Sequence, residues 1–69
     1  MTTNEAEALE ALVDRYGLSA VISQLANVCD DKSQHIASNW QDNVTARMWM
    51  NCVHILDRAS DRVKTYLPA

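Results

Sequence analysis

Four side chains in this sequence are types that bind a soft divalent metal: Cys29, His35, Cys52 and His54. Zinc needs such groups converging tetrahedrally at about 2.0–2.3 Å. At about 100° per helical residue, Cys29 and His35 diverge by about 240°, and Cys52 and His54 by about 200°. Both cysteines then turn toward the core and both histidines away from it, so no metal site is expected unless the helices break. The same divergence denies Cys52 an imidazole to activate it as a nucleophile. Asp30 and Asp31 are adjacent and point apart. Asp57 and Asp61 share a face at i, i+4, but nothing around them would raise a carboxylate pKa. With one glycine in the chain there is no loop to cradle a phosphate. The expectation is a protein without catalytic residues or cofactor, and not an enzyme.

The two cysteines are also symmetric about an expected turn and both lie on apolar stripes. A disulfide needs Cα atoms within about 4.4–6.8 Å, whereas helix axes usually sit 8–10 Å apart. They read as two reduced, buried small hydrophobes, with the question of pairing left open. The better candidate for contact is the face formed by Arg47, Asn51, His54, Arg58 and Arg62. Three arginines with Asn and His between them suit a carboxylate-rich protein partner or phosphate, although Asp57 and Asp61 border them. The run from Arg15 to Leu25 is similar to the turn and recognition helix of a helix-turn-helix protein. Aligned on Gly17, however, the positions that should be apolar hold Ser23 and Ala26, and Asp30-Asp31 follow where phosphate would lie.

These residues need long elements to position them, and the sequence supplies three. Thr2-x-x-Glu5 has capping-box spacing, with Thr3 or Asn4 as alternative caps, and opens a first helix of about residues 4–16, with Leu9, Leu12, Val13 and Tyr16 on one narrow face. Gly17 is placed to end it in a left-handed conformation. Ser19 is the expected cap of a second helix, about 20–39, with the stripe Val21, Ile22, Leu25, Val28, Cys29, Ile36 and Trp40. Lys32 interrupts that stripe, either snorkelling or paired with a carboxylate. Turn residues around Trp40-Gln41 precede Asp42 or Asn43 as the cap of a third helix, about 43–67, which Pro68 stops. Its stripe is Met48, Trp49, Cys52, Leu56, Ala59, Val63, Tyr66 and Leu67. Trp40 and Trp49 flank the turn and are expected to close it.

The fold class implied is all-α: one domain over residues 1–69, an antiparallel helical hairpin of the second and third helices, with the short first helix across its open end. Chains this small bury only about 60% of their unfolded surface. A third helix longer than its partner, with Met50 and Val53 left over as an oligomer interface, points to a homodimer or small homo-oligomer. Charge is uneven: the chain carries a formal −3, with acids concentrated before residue 43 and a basic excess after it. No stretch approaches the ~20 apolar residues of a membrane span. An acidic start without an apolar core is unlike a signal peptide, and two cysteines are too few for a disulfide framework, so a cytoplasmic setting is expected.

Tyr16-Gly17-Leu18, Val28-Cys29 through Lys32 to His35-Ile36, Ser38-Asn39-Trp40-Gln41-Asp42 and Ala46 to Trp49 together resemble small uncharacterised helical proteins of bacteriophages, prophages and bacteria. The resemblance spans about Leu12 to Trp49 and brings no activity, cofactor or site residue with it. It implies an accessory protein of a phage or mobile element that binds a host protein. The expected function is therefore a non-enzymatic, self-associating protein-interaction module; nucleic-acid binding through the basic face of the third helix is the alternative.

Overall fold

The computed structural model describes residues 1–67. Three α-helices and one short π-helical segment account for nearly all of them, and no strand occurs among the described residues. Helix α1 spans Thr3–Tyr16. It starts on a reciprocal cap: the Glu5 N–H donates to Thr2 Oγ1 at 3.1 Å, and the Thr2 N–H donates to Glu5 Oε1 at 2.8 Å. That satisfies two of the amides a helix start leaves without partners. The fixed donors also hold the Glu5 carboxyl below its ordinary pKa.

Gly17 ends α1 with φ 91° and ψ 152°. The positive φ agrees with the sequence reading, but the ψ is extended and not left-handed helical. This conformation is essentially open only to glycine. It lets helix α2 begin at once, spanning Leu18–His35. Ser19 is therefore not the cap; it lies inside the first turn of α2, and no side chain caps that end. The chain then widens into a π-helical turn over Ile36–Trp40. There the Asn39 amide donates back to the His35 carbonyl at 3.2 Å. Gln41, at φ 52° and ψ 30°, reverses direction. Asp42 caps helix α3, Asn43–Tyr66, through the Thr45 N–H at 3.0 Å, and that donor lowers its pKa. The expected stop at Pro68 lies outside the described residues.

Contact between α2 and α3 dominates the tertiary structure. Three hydroxyls stitch it. Ser33 Oγ donates to the Ala46 carbonyl at 2.7 Å, and Ser60 Oγ donates to the Ser19 carbonyl at 2.9 Å. Ser60 has one proton, so Ser23 Oγ is the donor across the 2.9 Å contact between their hydroxyls. Low numbers pair with high ones, so the two helices run in opposite directions. Among the described residues the buried ones are Ala26, Ser33, Ala46 and Ser60, all small. Small side chains let two helix backbones approach closely, and hydroxyls buried there need acceptors, which the neighbouring carbonyls provide.

This seam corrects the expected core. Large apolar stripes were expected to face each other; the helices instead meet on their small residues, rotated from those stripes by roughly 70–95° at 100° per residue. Helix α1 departs from expectation too. Its backbone packs along α2 and makes no close approach to α3, although its last turn shares a cleft with Lys64 and Leu67, and it has no buried residue. A one-residue joint at Gly17 leaves no slack to carry it over the open end of the pair, so it lies along the flank of α2. The molecule measures 38 × 30 × 13 Å, with a radius of gyration of 14.0 Å. A compact chain of this length would have about 11 Å. Breadth more than twice the depth means helices side by side, not a triangular bundle.

Candidate interaction faces

The rotation of the seam decides what the rest of α2 and α3 can do. Because the helices are antiparallel, displacing both large-residue stripes in the same angular sense brings them to the same side of the pair. One face therefore carries Leu25, Val28 and Ile36 of α2 beside Trp49, Met48, Cys52 and Ile55 of α3. The contact of Lys32 with Trp49 crosses this face: the ammonium sits 5.6 Å from the indole centroid. A cation over an indole face is favourable, so Lys32 lays its stem on apolar surface with its charge in the open. No carboxylate pairs with it among the described residues, where Lys64–Asp61 at 3.8 Å is the one ion pair. The face is uncovered. Met48 is 62% exposed and Ile55 63%, with Leu25, Val28 and Tyr66 also exposed.

Several sequence expectations move on this geometry. Cys52 is exposed and Cys29 partly buried, and both are free thiols; the small-residue seam turns Cys52 out of the core. Met50 and Val53 are half-buried, on the side of α3 that meets α2. Trp40 is 73% exposed beyond the turn, while Trp49 lies under Lys32, so the indoles do not close the turn together. The interface candidates the sequence reading missed are Met48 and Ile55. A signal existed: Met48, Cys52, Ile55 and Ala59 recur at alternating spacings of four and three. Ala46, Trp49, Val53, Leu56, Ser60 and Val63 do the same at three and four. Helix α3 thus carries two adjacent seams of the coiled-coil type, only one of which α2 uses.

Arg47, Asn51, His54, Arg58 and Arg62 are all exposed and share the outer and opposite sides of α3. No ion pair engages the arginines among the described residues. Between α1 and α2 a groove of about 380 Å³ is lined by Leu9, Leu12, Tyr16, Ala20, Val21, Gln24 and Leu25. Among the described residues no three His, Cys, Asp or Glu side chains gather where a metal ion would fit, and no helix is long and apolar enough to cross a membrane.

No family model matches this chain, and no curated protein or solved structure matches it either.

Proposed function

We propose that this protein is a non-enzymatic helical module that works by protein–protein contact and assembles with itself, its second and third helices forming the hairpin that carries the contact surface. The observation behind this reading is the uncovered apolar face beside the seam. A helix stripe rich in large apolar residues is stable in water when it packs on another element, and here Met48 and Ile55 are about three-fifths exposed, with Leu25 and Val28 also exposed. The fully buried apolar residues are Ala26 and Ala46, too little volume to hold a 69-residue fold by itself. With its apolar face covered, the assembly would present Arg47, Asn51, His54, Arg58 and Arg62 outward, where they suit an acidic surface on a further protein. A host protein bound by a phage or mobile-element accessory protein is the setting the resemblance suggests.

Absolute mass by light scattering over a concentration series tests the self-association. A dimer or larger assembly that loses subunits on dilution supports it; a monomer at all concentrations refutes it. For the outer face, a triple Arg47→Ala, Arg58→Ala, Arg62→Ala variant should keep its mass and helicity but lose partners captured by the parent. Unchanged capture would remove the arginines from the reading. Affinity for nucleic acid that falls steeply with salt would favour the alternative.

A further inference from the structure

We infer that the apolar face is covered by a second copy of this chain, laid so that α2 of one protomer lies over α3 of the other. The inference rests on the self-associating reading and adds the occupant and its orientation.

Area argues for a second copy. The chain exposes 5549 Å². A globular monomer of its 7.8 kDa exposes roughly 4,400 Å², so about 1,200 Å² is in excess. A standard interface takes about 800 Å² from each partner, and permanent dimers take more. The excess is of the size a stable dimer buries, and the apolar face is poor in charge at its centre, with Lys32 as the exception. A second copy is also the one partner present whenever the chain is made.

Charge fixes the orientation. Two-fold symmetry allows two ways to lay one hairpin on another. With the axis across the helices, α2 lies on α2 and α3 on α3. With the axis along the helices, α2 of each protomer lies on α3 of the other, and α1 comes near the partner's α3. Helix α1 carries Glu5, Glu7, Glu10 and Asp14 against Arg15, a net −3; α2 carries Asp30 and Asp31 against Lys32, a net −1. Helix α3 carries Arg47, Arg58, Arg62 and Lys64 against Asp57 and Asp61, a net +2. The first arrangement sets like charge on like; the second sets the acidic helices against the basic one. Arg47, Arg58 and Arg62 stand off the covered face and Lys32 lies on it, so this complementarity acts at the rim and over distance; charge there selects orientation more than it adds affinity, and it favours the second.

The native cysteines report which is formed. On the register that pairs Ser33 with Ala46, Cys29 and Cys52 lie about two residues apart in level, roughly 3 Å along the helix axis. An axis along the helices keeps levels, so Cys29 of one protomer meets the partner's Cys52. An axis across the helices brings each cysteine to its own copy.

The experiment treats the full chain with a short bismaleimide, isolates the covalent dimer from a reducing gel and identifies its linked tryptic peptides. Light scattering on the untreated sample runs beside it. The expected result is a dimer mass, with Cys29 joined to Cys52 and neither Cys29→Ser nor Cys52→Ser giving covalent dimer. Links of Cys29 to Cys29 or Cys52 to Cys52 in the parent overturn the orientation while leaving self-association intact. A dimer mass with no covalent dimer from a 1:1 mixture of Cys29→Ser and Cys52→Ser, where no link within one chain can form, also overturns it. A monomeric mass removes the self-associating reading itself.

Discussion

The seam between α2 and α3 and the open face are on different sides of the same helices, and they are built from opposite materials. The seam is made of Ala26, Ser33, Ala46 and Ser60, closed and nearly inaccessible. The face is made of Met48, Ile55, Leu25 and Val28, large and open to water. Burial in this protein therefore follows closeness of approach and not hydrophobic size. Small side chains bring two backbones together and trade bulk for many short contacts. Large side chains keep helices apart and leave surface for something else to cover.

The sharpest way to break the contrast is to put bulk into the seam. Ser60→Leu removes the bond to the Ser19 carbonyl, leaves Ser23 without its acceptor and overfills the closest point of approach. A loss of about 3 kcal/mol or more is expected from these effects together. Chemical denaturation followed by circular dichroism should show it; a stable Ser60→Leu protein would mean the seam is looser than its hydrogen bonds imply. Next comes polarity on the face. Ile55→Asp should weaken self-association by about 100-fold, the effect of losing one apolar anchor, whereas Asn27→Asp on the polar side should leave mass unchanged. Equal dissociation curves for the two variants would deprive the face of its special status.

A smaller effect is expected at the joint. Gly17→Ala meets no neighbouring atom within 4 Å, so its cost is conformational alone, about 1–3 kcal/mol for a backbone geometry that side chains avoid. The thermal midpoint should fall accordingly, without change in mass. An unchanged midpoint would mean α1 re-seats on another backbone conformation. Acid should have the least effect. Glu5 and Asp42 have folded pKa values below their ordinary ones because backbone N–H groups bond to their carboxylates. Their contribution is then complete above the unfolded pKa, near 4 for such groups, and is lost as pH falls through the lower folded values. Helicity at the starts of α1 and α3 should decline in that window. In Asp42→Asn the α3 part of the acid dependence should vanish, while Glu5 keeps its own.

Local signals made much of this architecture legible. The cap at Thr2, the break at Gly17 and the cap at Asp42 could be read because each needs only a few consecutive residues. Helix count and the absence of strands followed from them. The contact axis was not legible in the same way: a period of 3.6 identifies an apolar stripe, but does not say whether a helix meets its neighbour on the stripe or on the small residues at its edge. Hence the sequence leaves Met50 and Val53 over as an interface and puts Met48 in the packed stripe, while its reading does not single out Ile55. The arginine face could be read because exposure of long charged side chains seldom depends on the exact packing angle. The π-helical turn at Ile36–Trp40 had no sequence signature at all.

The way α1 is attached sets an order of motion. It is held along one flank by α2, has no buried residue of its own, and continues into the rest of the chain through a single glycine. Its amides should therefore exchange with solvent through openings that leave the α2–α3 pair intact, at a lower free energy than any amide around Ala26 or Ala46. Hydrogen exchange would then show two classes of protection in a chain of this size, with Gly17 at the boundary between them. A protease present in trace amounts would find its first access on the α1 side of that boundary.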